Sequence, residues 1–127
     1  MRLLLDTHML LWAAGSPERL PPGARELLDD PENVPVFSSA SLWEAAIKHG
    51  LGRRDFRVDA RLLRRGLLDN GYELPITGEP AVALDSLPPI HRDPFDRILI
   101  VQSMVEGITL LTVDPLIAQY PAPIRKV

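Results

Sequence analysis

The chain of 127 residues carries 14 Lys plus Arg against 17 Asp plus Glu, with 46% hydrophobic and 24% charged residues, an average composition for a globular domain. Its length predicts one domain, residues 1–127, and its composition excludes disordered and fibrous proteins. Because it has no cysteine, disulfide frameworks, thiol nucleophiles, thiolate zinc sites and iron–sulfur clusters are excluded as well. A net charge of -3 gives no global attraction to a polyanion, so a nucleic acid would have to be held by a local patch or a metal.

Short apolar segments and segments with helical spacing alternate along the chain. In chain order, the pattern predicts a strand at 3–5, helices at 9–14 and 21–30, a strand at 34–37, helices at 42–50 and 58–68, a strand at 73–76, helices at 79–87 and 94–106, and strands at 108–113 and 124–127. This alternation favours an α/β fold whose central, mostly parallel sheet has helices on both faces. In such sheets ligands collect at the carboxyl ends of the strands.

The N-terminus resembles the beginning of a signal peptide only briefly. Asp6 and His8 interrupt its apolar run before that run reaches the length of a signal sequence. No later stretch approaches the roughly 18 consecutive apolar residues of a membrane-spanning helix. We therefore expect no membrane association and a cytoplasmic location, with which the lack of cysteine agrees.

Acidic residues stand at the ends of predicted strands and at the beginnings of predicted helices. They are Asp6, Glu44, Asp93, Asp96 and Asp114. Each has an ordinary explanation, because a carboxylate near a helix N-terminus accepts a free backbone N–H and interacts favourably with the helix dipole. The stretch from Ser41 to Glu44 fits the Ser-x-x-Glu capping box, and Asp93-Pro94 fits a capping Asp followed by proline at the first helical position.

The predicted sheet gives these acids a second interpretation. If the strands are parallel, Asp6 and Asp114 emerge at the same edge, where the helices that carry Glu44 and Asp96 also begin. Carboxylates so close together raise one another's pKa or bind a cation, and an all-oxygen ligand set suits Mg²⁺ or Mn²⁺. Such an ion activates water for attack on phosphorus, so the pattern favours metal-dependent phosphodiester hydrolysis.

Four segments follow one another in a specific order and spacing from the first strand almost to the C-terminus. They are Leu3-Leu4-Leu5-Asp6-Thr7-His8 with Leu11-Trp12; Ser38-Ser39-Ala40-Ser41-Leu42-Trp43-Glu44 with Ala46-Ile47-Lys48; His91-Arg92-Asp93-Pro94-Phe95-Asp96-Arg97; and Leu111-Thr112-Val113-Asp114. In these segments the chain resembles the PIN-domain ribonucleases, and among them the VapC-type toxins of bacterial toxin–antitoxin pairs. The resemblance implies the PIN fold, a three-layer α/β/α arrangement.

The resemblance also implies an acidic quartet that holds Mg²⁺ or Mn²⁺ and activates water against an RNA phosphodiester. The members of this quartet are Asp6, Glu44, Asp96 and Asp114. Asp96 is preferred to Asp93 as the third acid because its spacing from Asp114 matches that of the family, and Asp93 is then an auxiliary or capping residue. Thr7 and Thr112 have hydroxyls beside the acids, which suits a role in orienting a carboxylate or a metal-bound water.

As partners, the resemblance implies an RNA substrate, a second copy of the chain in a homodimer and a VapB-type antitoxin that covers the site. An aspartyl-phosphate phosphatase is a competing enzyme class, but it would need a second acid two residues after Asp6, where the chain has His8. The alternative function is a catalytically silent PIN-fold module that binds RNA or protein. Such a module would be expected to have lost at least one of the four acids, and all four are present.

The only local excess of basic residues lies between positions 53 and 65. Arg53, Arg54, Arg57 and Arg61 could supply the attraction for RNA phosphates that the net charge does not, or they could form a solvated helix face with local Asp–Arg pairs. The three histidines are dispersed and are interpreted as packed or exposed side chains, not ligands. Lys48 follows Glu44 by four residues, which predicts an ion pair, and core burial is expected for Trp12 and Trp43.

Overall fold

Five strands and six α-helices follow one another in the computed structural model, which describes residues 1–127. The strands are β1 (Arg2–Leu5), β2 (Val34–Ser38), β3 (Tyr72–Leu74), β4 (Thr109–Thr112) and β5 (Ile124–Lys126). The helices are α1 (Thr7–Gly15), α2 (Pro22–Asp29), α3 (Ser39–Gly50), α4 (Ala60–Leu68), α5 (Gly78–Ala83) and α6 (Pro94–Glu106). Short 3₁₀ turns cover Pro17–Arg19, Leu84–Ser86 and Ile117–Gln119. Each predicted strand and helix therefore has its counterpart, with bounds that shift by a few residues.

All five strands run parallel, in the order β3-β2-β1-β4-β5. The chain moves from β1 to β2 on one side, and later to β4 on the other side of β1. The connections therefore diverge beside β1, and a crevice opens there at the carboxyl ends of the strands. The prediction of an α/β fold with a parallel sheet is confirmed.

Helices cover both faces of the sheet, because the central strands are apolar on both sides. Leu4 of β1 faces a core that includes Leu99 of α6, whereas Leu3 and Leu5 face a second core that includes Met9 of α1. All five of these side chains are almost completely buried. Helices α5 and α6 contribute to the first core, and α1 and α2 contribute to the second. The molecule is therefore a three-layer α/β/α structure.

The helices that lead to the acidic residues begin at the carboxyl edge of the sheet. Helix α3 starts directly after β2, and the hydroxyl of Ser38 accepts a hydrogen bond from Ala40 N and donates one to Gln102 of α6. The capping box predicted for Ser41 and Glu44 is wrong, because Ser38 is the N-cap and Glu44 lies in the second turn of the helix. Glu44 lies on the face of α3 that is turned into the protein, where it is 3% exposed.

Helix α6 has both terminal signals that its sequence predicts. Asp93 caps the helix before Pro94, and Gly107 ends it in the left-handed conformation with φ 65°. The chain turns from there into β4, and four buried residues from Ile98 to Val101 fix the helix against the sheet. No helix in the structure combines the length and apolar character that a membrane crossing requires.

Candidate active site

Asp6 lies directly after β1 and is held on both of its carboxylate oxygens. Its Oδ1 accepts a hydrogen bond from Met9 N at 2.9 Å, which caps α1, and its Oδ2 accepts one from the Thr112 hydroxyl at 2.5 Å. Burial raises the pKa of Asp6, although the bonds from Thr112 and Met9 act in the opposite direction. The prediction that Thr112 orients a carboxylate agrees with this contact, and Thr112 Oγ1 also accepts a hydrogen bond from Asp114 N.

Glu44 is the most deeply buried of the helical acids. Its Oε2 is 2.6 Å from Lys48 Nζ, one turn later on α3, so the predicted ion pair is present. Its Oε1 is also buried and has no hydrogen-bond partner. A buried carboxylate oxygen without a donor is costly, and it marks a place where a cation or a water molecule would be bound.

Asp93 and Asp96 lie one turn apart at the beginning of α6 and have different surroundings. The Oδ1 of Asp93 accepts hydrogen bonds from Phe95 N at 2.8 Å and Asp96 N at 3.1 Å, so Asp93 is the cap. Burial, followed by the charge of Asp93, raises the pKa of Asp96 to about 7. The charges of Glu44 and Asp6 act in the same direction, which places Asp96 within the electrostatic range of both.

Asp114 follows β4 and is joined to Asp96 by a histidine. His91 Nε2 lies 3.0 Å from Asp114 Oδ2 and 3.1 Å from Asp96 Oδ2, and one ligand atom from each residue falls within 4.8 Å of the others. The Oδ1 of Asp114 accepts a hydrogen bond from Leu116 N. The sequence pattern predicts no histidine in the site. His91 lies in a loop with no helical spacing, so only its place two residues before Asp93 signals it.

The structure thus brings the acidic quartet to one edge of the sheet, together with the Lys48 ammonium and the His91 imidazole. Burial, and to a smaller extent the charge of Asp114, raises the pKa of Asp6, and burial together with the nearby acidic charges raises the pKa of Asp96. The protein residues offer carboxylate oxygens, and one buried oxygen has no donor. This set of donors fits a hard divalent cation such as Mg²⁺ or Mn²⁺, which prefers oxygen ligands.

Thr7 contributes to the scaffold around the site. Its hydroxyl donates a hydrogen bond to Ser41 Oγ at 3.0 Å, and both residues are buried. The bond joins the first turn of α1 to α3, so it fixes the helix that carries Glu44 relative to the one that Asp6 caps. The hydroxyl is therefore engaged between two helices and contacts no carboxylate.

The arginines of the segment 53–65 divide into paired and unpaired groups. Arg64 binds Glu73 through two hydrogen bonds of 2.7 and 3.0 Å, and Arg53 lies 3.8 Å from Asp55. Arg54 and Arg57 form no ion pair and line a groove of 720 Å³ between α1 and α4. Other residues of this groove are His8, Trp12, Arg19 and Leu62. Arg61, beside the groove on α4, is exposed and also unpaired.

The two tryptophans differ in burial. Trp12 is half-buried and packs against the core of α1 and α2, with the Arg19 guanidinium 5.2 Å from its ring. Trp43 is 58% exposed, so the expected core burial is wrong for this residue. On α3, Glu44 points inward and Trp43 lies on the rim of the site. The ring centroids of Trp43 and Phe95 are 5.2 Å apart.

Comparison with known proteins supports this description of the fold. No curated protein matches the chain. The structure is similar to that of VapBC2 from Rickettsia felis bound to a DNA fragment from its promoter, with a TM-score of 0.73, 14% sequence identity and coverage of 100% of this chain and 99% of that chain. It is also similar to VapBC-1 from nontypeable Haemophilus influenzae, with a TM-score of 0.69, 15% identity and coverage of 99% and 98%.

A third similar structure is a domain of a functionally unknown protein from Methanocaldococcus jannaschii DSM 2661. Its TM-score is 0.60 at 15% identity, over 99% of this chain and 90% of that chain. At sequence identities this low, the TM-scores of the three structures show a common fold and no more. The family model described as PIN domain matches residues 3–123, and on this evidence the chain belongs to the PIN domain family.

Proposed function

We propose that this chain is a Mg²⁺- or Mn²⁺-dependent endoribonuclease that acts as the toxin of a VapBC-type pair. The observation that carries the proposal is the buried Glu44, whose Oε1 has no partner beside three further carboxylates. Asp6, Glu44, Asp96 and Asp114 would hold the ion. When bound, the ion supplies a water nucleophile of lowered pKa and stabilises charge on the phosphate and the leaving oxygen.

The protein's own contribution is to fix these groups before the reaction. Thr112 and Met9 N hold both oxygens of Asp6, so this carboxylate cannot rotate away. The Lys48 ammonium and the imidazole of His91 limit repulsion among the acids. Asp6 and Glu44 are buried and keep a defined geometry, whereas Asp96 and Asp114 are partly open to solvent and to a substrate.

The substrate is proposed to be RNA held by the unpaired arginines near the acidic edge. Arg54 and Arg57 line the groove, which also includes His8, two residues after Asp6. We include Arg61 of α4 and Arg53, which lies 3.8 Å from Asp55, in the proposed RNA-binding set. Arginine binds phosphate through several donors, and such contacts would offset the negative net charge of the chain. An RNA substrate also agrees with a cytoplasmic location.

The proposed partners are a VapB-type antitoxin and a second copy of the chain. The antitoxin is inferred from the similarity to two VapBC complexes. For the homodimer, the surface to test is the exposed apolar stripe of α3, where Trp43, Ile47 and Leu51 are 58%, 39% and 72% exposed. Size determination of the purified chain, compared with its Ile47→Glu variant, would test this contact.

The first experiment is induced expression of the wild-type chain against Asp6→Asn, with cellular RNA mapped for new 5′ ends. We expect growth arrest and discrete cleavage for the wild type alone. If folded wild-type protein, free of antitoxin, causes neither, the alternative of a catalytically silent module that binds RNA or protein is favoured.

A matched pair of variants tests which acid of α6 belongs to the site. Asp96→Asn removes a carboxylate beside His91, whereas Asp93→Asn removes the same charge one turn earlier and keeps an asparagine cap. We expect Asp96→Asn to lose most nuclease activity and toxicity, and Asp93→Asn to keep a large part of both. Equal losses would contradict the assignment of Asp96 as the third acid.

A further inference from the structure

The backbone of His91, in the loop before α6, is held by hydrogen bonds at two points. His91 N donates a hydrogen bond to Tyr120 Oη at 2.7 Å, and its carbonyl accepts one from Arg97 Nη1 at 3.2 Å. Arg97 also donates to the carbonyls of Leu87 and Pro88. Its guanidinium therefore binds backbone carbonyls of the loop and forms no ion pair. The position of the imidazole is therefore set by the fold, independently of the carboxylates it faces.

Hydrogen bonding also sets which ring nitrogen carries the proton. His91 Nδ1 lies 3.1 Å from Asp93 N, a backbone donor, so Nδ1 must present its lone pair. The proton of the neutral ring is then on Nε2. That nitrogen lies 3.0 Å from Asp114 Oδ2, to which it donates a hydrogen bond, and 3.1 Å from Asp96 Oδ2, with which it is in close contact.

We infer that His91 is a positioning residue, which holds Asp114 by a hydrogen bond from Nε2–H and keeps Asp96 in contact with the same nitrogen, and that it is not itself a metal ligand. To bind a cation, Nε2 would need a lone pair, and the ring proton would move to Nδ1. Two donors, Nδ1–H and Asp93 N–H, would then face each other at 3.1 Å. Metal binding by Nε2 would therefore break the hydrogen bond between Asp93 N and Nδ1, whereas in the Nε2–H form both ring nitrogens have hydrogen-bond partners.

The inference deepens the proposed function and rests on it only for the identity of the cation. With His91 as a donor, the ligands left for the ion are carboxylate oxygens, a set that suits Mg²⁺ or Mn²⁺. With His91 as a ligand, the site would hold one nitrogen and two oxygens and would suit Zn²⁺. The hydrogen bond from Asp93 N to Nδ1 therefore favours the set of carboxylate oxygens.

Nuclear magnetic resonance of the full chain with ¹⁵N-labelled histidine tests the ring directly. At a pH of about 8, where an ordinary histidine is neutral, we expect His91 to show the Nε2–H tautomer both without metal and with saturating Mg²⁺. The resonance is assigned by its loss in His91→Gln. A charged ring or the Nδ1–H tautomer in the metal-free protein would overturn the inference, as would a metal-bound Nε2.

Calorimetric Mg²⁺ binding by variants gives a second readout that does not depend on cleavage. We expect His91→Ala to weaken binding about 10-fold, as for other groups that orient metal ligands, and His91→Gln to recover most of it, because its amide N–H can reach toward the carboxylates. The control is His49→Gln, which removes an exposed imidazole in the last turn of α3 and should leave Mg²⁺ binding unchanged. Equal losses for folded His91→Ala and His91→Gln, or no loss for either, would contradict the inference.

The two proposals fail separately in these measurements. If the wild type binds no divalent cation, the proposed function is wrong, but the tautomer of the metal-free ring still decides whether His91 joins the two acids. If Mg²⁺ binds and His91 adopts another protonation state, the metal site stands and the role of His91 does not.

Discussion

The acidic site holds its carboxylates in two different ways, according to the elements that carry them. On the strand side, Asp6 is held by a hydroxyl of β4 and a backbone N–H of α1. On the helix side, Glu44 faces the ammonium of Lys48, and Asp96 faces the imidazole of His91. The donors to Asp6 are an uncharged hydroxyl and a backbone N–H, whereas the partners of Glu44 and Asp96 are ionisable side chains.

This difference predicts what happens when a cation binds. The donors to Asp6 can remain in place, because an oxygen that accepts one hydrogen bond keeps a second lone pair. Lys48 competes with an incoming ion for Glu44 Oε2, but Oε1 is already free of any protein donor. The strand side is therefore preorganised, whereas on the helix side the Lys48 ammonium and a metal ion compete for the carboxylate of Glu44. The predictions below separate the two sides.

Removal of the strand-side carboxylate should have the largest effect. We expect Asp6→Asn to lower the cleavage rate by more than about 100-fold, since a ligand of the metal is lost, while Thr112→Val lowers it by about 10-fold through loss of orientation. Single-turnover cleavage of an RNA mapped from cells measures both. An effect of Thr112→Val as large as that of Asp6→Asn would show that the hydroxyl does more than orient the carboxylate.

Removal of the Lys48 ammonium should lower the free energy of unfolding while leaving the fold unchanged. Lys48 and Glu44 are 17% and 3% exposed, so Lys48→Met leaves a buried charge without its partner. We expect a loss of about 3 kcal/mol in the free energy of unfolding of the metal-free protein, and recovery of most of it in the double variant with Glu44→Gln. Chemical denaturation in the presence of a chelator measures this coupling. Additive losses in the two single variants would mean that the pair contributes no coupling.

The raised pKa of Asp96 predicts a pH dependence of the metal-free protein. Between its ordinary value of 3.8 and about 7, the folded state binds a proton that the unfolded chain has released. Stability therefore falls as the pH rises through this window and is constant above it. The raised pKa of Asp6 acts in the same direction.

Asp96→Asn isolates this contribution. Because its amide is neutral at every pH, we expect the variant to be more stable than the wild type by about 2 kcal/mol above pH 7, a value below the full shift because Asp96 is partly exposed. Thermal unfolding from pH 4 to 8 in chelator measures the difference, with the exposed Asp85→Asn as control. A wild-type stability that rises over this window would contradict the assignment.

The fold could be predicted from the sequence more completely than the site. Alternating apolar runs define each strand, and Asp93-Pro94 and Gly107 mark the ends of α6, because these signals depend on neighbours along the chain. The orientation of Glu44 required the first residue of α3, which an incorrect capping box displaced by three positions. The first residue of a helix depends on which nearby hydroxyl caps it, and here Ser38 and Ser41 both offer one, so the helix start could not be decided from the sequence alone.

His91 shows the second limit of sequence-based prediction. Its role depends on Asp114, 23 residues away, and on Tyr120 and Arg97, which fix its backbone. None of these contacts leaves a periodic pattern. The unpaired state of Arg54 and Arg57 has the same origin, because the partners of an exposed arginine are known only when the neighbouring elements are placed.

Substitution of the groove arginines should have the smallest effect, a change in RNA binding. It tests whether the RNA backbone lies in the groove between α1 and α4. In the Asp6→Asn background, which prevents cleavage, Arg54→Gln and Arg57→Gln should each weaken binding of a labelled single-stranded RNA and reduce the slope of log affinity against log salt by about 0.7, the value for one phosphate contact. Arg64→Gln is the matched control. Its guanidinium is already bound to Glu73, whose pKa it lowers, so the slope should not change. If all three variants bind RNA with the wild-type slope, the groove between α1 and α4 does not carry the RNA backbone, and the acidic edge must receive its substrate from another direction.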